Sequence, residues 1–385
     1  MNSSKPNKKI RVAWFASAFI GRSASGTAQT ARKILTHLMA DHSDDIEIVL
    51  LAKNIDEFNL LRNEHIFSNQ EVILLPKVFG KKFKSSRQFY KFCLLKRNLK
   101  IDILNFSVPR VYPFYWLFPA KKIVCTFHAG GDVTVPRDFF ALSREIYNFI
   151  IKIQWKKFDS IIAVSKFAAR EISSAYKIPL MFITTIYGGA DNLWGQVDQE
   201  ISRDPNLVIV MGRWQIYKNL HTVINAFKLY ELSNNLDLKI KVIGRSGSKE
   251  NVLMLNALSD FPSGQIELIE YLSDKELAFE YRRASVVFHP SINEGFGLPA
   301  FEAFGEGARV IAHAGTPASE MLEGKTGVIF DDMQDEKRII ESYRLILTQN
   351  YGDIIERRNF IKSIGAIWAE SANKYADLYK SLIRN

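Results

Sequence analysis

The chain has 385 residues, 47% of them hydrophobic and 24% charged, with no low-complexity tract. It is therefore an ordinary globular chain, long enough that two domains are expected rather than one core. Its net charge of +10 is uneven, at +14 over residues 1–195 and −4 over 196–385, which points the first half towards a polyanionic partner: nucleic acid, an acidic membrane surface or phosphorylated substrates. Two cysteines, Cys93 and Cys125, without metal-ligand spacing, argue against a disulfide framework and for a reducing compartment. No run approaches the ~18–20 apolar residues of a membrane-spanning helix, and "VYPFYWLFPA" holds two prolines.

In chain order, "KPNKK" followed by "IRVAWFASAFI" has the basic start, apolar run and Ala-Ser-Ala triplet of a signal peptide. Arg11 interrupts the run, however, and the segment reads better as a buried first strand followed by a Gly/Ser loop and a helix. Short apolar runs predict strands at 10–16, 46–52, 72–75, 101–106, 121–127, 159–164 and 182–187. After a polar stretch near 188–206 the rhythm restarts, with strands at 207–211, 239–243, 265–270, 285–289, 309–312 and 326–330. Helical periodicity falls between them, including 27–40, 138–157, 219–233, 274–283 and 336–349. Two such series in tandem predict an α/β chain of two doubly wound parallel domains, with ligands at the carboxyl ends of strands in the cleft between them. The last helix carries one apolar stripe, Trp368, Ala372, Tyr375, Tyr379 and Leu382, which must pack on something.

The first domain offers "SASGTAQTARKIL", where Gly26 permits close backbone approach to a phosphate at a helix start. It also offers "TFHAGGD", which puts His128 at a strand end before two glycines and Asp132. Residues 77–100 hold nine Lys/Arg and no acid, interleaved with Phe79, Phe83, Phe89, Tyr90 and Phe92. With the aromatic stretch Val111–Pro119, they suit either an anionic membrane surface or a core-packed helix with a solvated basic face.

The second domain begins with "VMGRWQIYKNL", where Arg213 offers a fork for phosphate oxygens and Lys218 a mobile charge. Its most telling stretch is "SINEGFGLPAFEA", Ser291–Ala303. Gly295-Phe296-Gly297-Leu298-Pro299-Ala300 fits the dinucleotide pattern G-x-G-x-x-G/A, with Glu320 twenty residues on. That fingerprint belongs in the first βα turn of a domain, whereas this one follows the fourth strand and is preceded by a carboxylate. An NAD enzyme is therefore disfavoured. Pro299 suits a first helical position, and the helix start would present free N–H groups to an anion. Glu302 then presents two acceptor oxygens to a vicinal diol such as a ribose, and Glu294 can accept from a second hydroxylated ring. His289 and His313 read as structural.

Together these residues resemble the GT-B glycosyltransferases, in particular the large retaining group called family four. The matching pieces are "EGFGLPAFE" (Glu294–Glu302), "GRWQIYKNL" (Gly212–Leu220), "VSKFAARE" (Val164–Glu171), "YGGAD" (Tyr187–Asp191), "YLSDKELAFEYRRA" (Tyr271–Ala284) and "WAESANKYADLY" (Trp368–Tyr379). Coverage is nearly end to end and weakest over 53–120. The resemblance implies an acceptor-side Rossmann-like domain at 1–195, joined by a helix at 366–385, and a nucleotide-sugar domain at 196–365. It implies that Arg213 and Lys218 neutralise the donor diphosphate and that Glu302 holds the ribose. Glu294 with Gly295, Phe296, Gly297 and Leu298 would hold the donor sugar, Gly26 would approach the phosphates, and His128 would lie near the sugar. No metal and no cofactor are implied.

Glu294 can be read either as a nucleophile or as a sugar ligand with same-face attack by the acceptor; the resemblance favours the second. The expected activity is retaining transfer of a hexose from a GDP- or UDP-sugar to a lipid-linked glycan acceptor, in cell-surface polysaccharide or glycolipid synthesis. The expected place is cytoplasmic, peripheral on the inner membrane face through 77–120. A silent partner subunit and a nucleic-acid-binding protein are the rival readings; the second leaves both glutamates unexplained.

Overall fold

The computed structural model describes residues 8–20, 26–78, 84–95, 99–108, 111–128, 141–234, 238–244, 252–259, 261 and 264–384. They form two compact units, one of 1–188 with 368–385 and the other of 189–367. The first holds a seven-stranded sheet in the order β3-β2-β1-β4-β5-β6-β7 and the second a six-stranded sheet, β10-β9-β8-β11-β12-β13. Every strand pair is parallel.

In the first unit the strands are β1 Ile10–Phe15, β2 Ile46–Ala52, β3 Glu71–Leu74, β4 Ile101–Phe106, β5 Ala120–Phe127, β6 Ser160–Ala163 and β7 Ile183–Thr185. The segment that could pass for a signal peptide is thus the central strand, hydrogen-bonded to β2 on one side and β4 on the other. Its IRVAWF run is apolar on both faces because helices cover both faces of a parallel sheet. The described helices are α1 Gly26–Asp41, α2 Ile55–Asn63, α3 Lys84–Leu95, α4 Ala141–Gln154 and α5 Lys166–Tyr176, with α13 Trp368–Arg384 returning from the chain end. On α13 the side chains of Trp368, Ala372, Tyr375 and Tyr379 are buried. The Tyr375 hydroxyl lies 2.8 Å from that of Thr126 on β5, and Ser371 donates to the Tyr187 carbonyl at 2.6 Å. The apolar stripe of this helix is therefore spent on the first unit's own core.

Packing turns part of the basic stretch 77–100 inward. Phe89 and Phe92 of α3 are buried. The Phe89 ring stacks on Tyr112 at 4.6 Å and Phe92 on Phe118 at 5.6 Å, while the Tyr90 hydroxyl donates to the Pro113 carbonyl. Phe89 and Phe92, which look like membrane anchors in the sequence, are core residues, because burying such rings in the unit's interior is worth more than leaving them on a basic face. Phe79 and Phe83 lie outside the described residues.

The second unit contains β8 Leu207–Met211, β9 Lys239–Ile243, β10 Ile266–Ile269, β11 Val286–His289, β12 Arg309–His313 and β13 Val328–Asp331. Its helices are α6 Leu220–Asn234, α7 Val252–Ser259, α8 Asp274–Arg283, α9 Leu298–Gly305, α10 Pro317–Leu322, α11 Glu336–Leu347 and α12 Ile354–Ser363. Local chemistry sets these boundaries. Ser273 and Glu276 form a reciprocal capping box at the start of α8, and the Asp335 carboxylate accepts from Lys337 and Arg338 N–H at the start of α11.

Helix α9 is the element that positions the site, and its far end is pinned by buried charge. Glu306, wholly buried, accepts from Arg282 Nε at 2.7 Å and from Arg358 Nη2 at 2.5 Å. Burial pushes its carboxyl upward, and the two guanidiniums oppose that push. Arg357 donates to the Phe304 and Ala308 carbonyls at 3.2 and 2.6 Å, satisfying carbonyl groups at and just beyond the helix end. Removing one partner of such a pair leaves an uncompensated buried charge. Glu306→Ala should therefore lower unfolding stability by about 3–5 kcal/mol, measured by urea denaturation; a loss below about 1 kcal/mol would mean that Glu306 does not fix the helix.

Candidate functional site

In a doubly wound sheet, ligands bind where the strand order reverses, at the carboxyl ends of two neighbours whose connections leave in opposite directions. In the second unit those neighbours are β8 and β11, paired in register from Val208↔Val286 to Val210↔Phe288. The loop after β8 carries Arg213 and Lys218; the loop after β11 carries Glu294 and leads into α9. Topology thus brings together residues 76 positions apart.

Lys218 closes a short 3-10 turn, Ile216–Lys218, whose next residue, Asn219, has φ 57°. Asparagine is among the few non-glycine residues that adopt this left-handed conformation readily. Here its buried side chain donates to the Met333 carbonyl and accepts from the Thr222 hydroxyl. The turn is further tied to the β11 loop by Ile292 N–H, which donates to the Tyr217 carbonyl at 2.9 Å. The loop's origin is equally constrained: a Cβ on Gly244, at the end of β9, would meet the Gly212 carbonyl oxygen at 2.0 Å, so only glycine lets the ends of β8 and β9 close up.

Held in this way, the Lys218 ammonium donates directly to Glu294 Oε1. The same oxygen lies 3.0 Å from Nε2 of His289, a buried residue on β11. An ionised carboxylate only accepts, so His289 donates through Nε2. Burial pushes the Glu294 carboxyl up, but Lys218 and His289 outweigh it, holding Glu294 well below the ordinary carboxylate range. His289, read from sequence as structural, is therefore part of the site. The available signal was its place as the last residue of a strand that feeds the Glu294 loop.

The second glutamate is held differently. Glu302, buried on α9, accepts from the side chain of Asn192 at 2.8 Å. Asn192 directly follows the YGGAD motif, and no local pattern marked it. Helix α9 begins at Leu298 after Gly297, whose φ is 87°. Pro299 is thus the second helical residue rather than the first, where its missing N–H still costs nothing. Gly295, Phe296 and Gly297 are buried, Leu298 is half-buried, and Phe296 stacks on Phe301 at 4.7 Å. The N–H groups at the start of α9 consequently lie between the two carboxylates in sequence, in a loop anchored at both ends.

Arg213 stands apart. Its side chain is exposed and takes no part in the contacts among Lys218, His289 and Glu294. His313 accepts from Met333 N–H at 3.2 Å, a structural role.

In the first unit the order reverses between β1 and β4. His128 follows β5, next to β4, and its Nε2 donates to the Ser107 carbonyl at 2.8 Å. That bond fixes the tautomer and leaves Nδ1 as an acceptor. Burial lowers its pKa to about 4. Asp132 and the two glycines lie outside the described residues, as do 21–25; Gly26 is the exposed first residue of α1. Among the described residues no cluster of three metal-ligating side chains occurs.

Two Rossmann-like α/β units of this topology define the GT-B class. Over 98% of its length the chain superposes on all of a sucrose-phosphate synthase from Thermosynechococcus elongatus, with a TM-score of 0.70 at 17% identity. A family model described as Glycosyl transferases group 1 matches residues 196–364, and one described as Glycosyltransferase Family 4 matches 25–192. The chain belongs to the group 1 glycosyltransferases. It is 26% identical over 341 residues, 83% of its length and 86% of the relative's, to an O-antigen chain mannosyltransferase of Salmonella typhimurium. An Escherichia coli O-antigen chain mannosyltransferase is 23% identical over 283 residues, 70% of this chain and 73% of the relative.

Two pH effects follow. Replacing His289 with Leu removes one of the two groups that depress Glu294, so its titration should move up; any acid limb of activity should then begin at higher pH than in the unaltered protein, and an unmoved pH–rate profile would detach His289 from Glu294. His128 is protonated more readily unfolded, near 6.5, than folded, near 4. Its contribution to stability is complete above pH 6.5 and is lost as pH falls towards 4. Urea midpoints over that window should fall less steeply in His128→Gln than in the unaltered protein.

Proposed function

We propose that the chain is a retaining, metal-independent glycosyltransferase that moves mannose, a hexose, from a nucleoside diphosphate sugar to a glycan acceptor in cell-surface polysaccharide synthesis. The mannosyl assignment rests on the two relatives named above. The observation that carries the site is the ion pair of Lys218 and Glu294 beside the start of α9, at the reversal of strand order in the second unit.

When the bond from sugar to phosphate breaks, negative charge develops on the diphosphate and positive charge on the sugar ring. In this reading the Lys218 ammonium and the N–H groups at the start of α9 meet the diphosphate, a fixed electrostatic complement to the leaving group. Arg213 adds a second cation from the same loop. Drawing Lys218 away frees one lone pair of Glu294 for a sugar hydroxyl, while His289 keeps the carboxylate in place. Glu302, oriented by Asn192, holds the ribose diol. Gly295 to Leu298 shape the pocket around the sugar, His128 offers Nδ1 to a hydroxyl near the reacting carbon, and Gly26 approaches the phosphates.

A carboxylate so strongly stabilised as an anion by two donors is a poor nucleophile and a good hydrogen-bond acceptor. The reaction is therefore proposed to proceed by same-face attack of the acceptor hydroxyl, whose proton passes to the departing phosphate oxygen. The acceptor is proposed to be lipid-linked, and the protein to work at the inner, cytoplasmic membrane face. Two unpaired cysteines, both buried, fit that compartment.

Lys218→Ala should reduce kcat of sugar transfer by about 10²–10³-fold, the usual cost of losing one donor to a developing oxyanion. Assays with GDP- and UDP-linked mannose in parallel, with and without chelator, would measure it and identify the base. An unchanged rate would remove Lys218 from the chemistry. A fluorinated donor analogue should leave no sugar adduct on Glu294 by mass spectrometry; an adduct would assign double displacement instead.

A further inference from the structure

Phe89 and Phe92 turn inward, leaving Leu94 and Leu95 as the exposed apolar residues of α3, and a larger run of exposed apolar side chains lies elsewhere on the first unit. Strands β5, β6 and β7 are adjacent and parallel, so their amino-terminal ends share one edge of the unit. Each is preceded by a 3-10 turn: Tyr115–Leu117, Trp155–Lys157 and Leu180–Phe182. The turns form a continuous patch. Tyr115 stacks on Phe158 at 4.4 Å and its hydroxyl donates to the Gln154 carbonyl at 2.6 Å. Lys157 lies 5.6 Å from the Trp116 ring, and Trp155 and Phe182 are 5.5 Å apart.

Around these contacts Phe114, Leu117, Ile153, Leu180, Met181 and Phe182 are exposed, Met181 at 86%. Phe114 also sits at φ 54°, a conformation that is unfavourable for a bulky residue, yet its ring points out to solvent rather than into a core. A contiguous apolar surface of this kind marks an interaction site.

The rim identifies the partner. Lys152, Lys156, Lys157 and Lys177 are exposed around the patch. Asp159, directly before β6, is paired with Lys122. A second copy docking by the same face would set these lysines against one another. An anionic bilayer complements them: aromatic and aliphatic side chains enter the boundary between headgroups and acyl chains while lysine stems snorkel to the phosphates. The patch also lies at the strands' amino ends, away from the carboxyl ends that carry His128, so docking leaves that edge uncovered.

We propose that this surface, formed by residues 114–117, 153–157 and 180–182, docks the protein on an anionic lipid bilayer. It deepens the membrane reading given above, and the binding measurement itself needs no sugar donor. In flotation with vesicles containing phosphatidylglycerol, the protein should bind at low salt and bind pure phosphatidylcholine vesicles weakly. The double variant Met181→Glu, Phe182→Glu should lose about tenfold or more in vesicle affinity, and Lys156→Glu with Lys157→Glu should lose the preference for anionic lipid. Ile355→Glu, an exposed apolar residue of the second unit, should bind as the unaltered protein does. Circular dichroism and unchanged transfer to a soluble glycan acceptor would show the variants folded and active. Absence of vesicle binding, or undiminished binding by the 181/182 variant, overturns the proposal while leaving the transferase reading standing. A dimer in light scattering that the same variant splits would assign the patch to a second copy and overturn it too.

Discussion

A charge withdrawn from water must find a partner, and the second unit is arranged around the pairing of Lys218 with Glu294. Each largely shields the other's charge from water, with side chains 17% and 13% exposed, and His289 is a second partner to the carboxylate. The sheet supplies the meeting point, because β8 and β11 are neighbours whose connections leave in opposite directions. Asn219 fixes the lysine's turn through its left-handed backbone and its bond to Met333, and His289 fixes the carboxylate from the end of β11. The result is a compact, highly polar cluster of an ammonium, a carboxylate and an imidazole.

The two glutamates of the E-x7-E element are chemically alike and environmentally different. Glu294 accepts from the Lys218 ammonium and from His289 Nε2, which suits it to remain an anion and an acceptor. Glu302, itself on α9, accepts from a neutral amide, Asn192, and the end of that helix is fastened by Glu306 between Arg282 and Arg358. Fixing α9 at its far end keeps Glu302 and the helix start in constant relation. That is what a site needs if it is to complement developing charge without reorganising during the reaction.

Much of this was legible in the sequence. All thirteen strands among the described residues lie within two residues of the boundaries expected from short apolar runs, and in the central strands burial on both faces leaves no polar alternation to confuse the pattern. Lys218, Glu294 and Glu302 were visible as charged residues at strand ends and helix starts. His289 and Asn192 were not, since their importance comes from contacts across the fold and a buried histidine on a strand is usually structural. Phe89 and Phe92 misled for the opposite reason. Their composition reads the same whether the rings face a bilayer or the interior, and only the neighbours Tyr112 and Phe118 decide it. The exposed patch at 114–117, 153–157 and 180–182 is scattered in sequence and becomes one surface only when β5, β6 and β7 align.

The central claim is a division of labour, with Lys218 facing phosphate and Glu294 facing sugar. Calorimetric titration of the nucleoside diphosphate and of the intact nucleotide sugar into Lys218→Ala and Glu294→Gln separates the two directly. Lysine loss should weaken both ligands, whereas glutamate replacement should weaken the nucleotide sugar and leave the bare diphosphate bound at least as well as before. Equal weakening of both ligands by Glu294→Gln, or full diphosphate affinity in Lys218→Ala, would contradict the assignment.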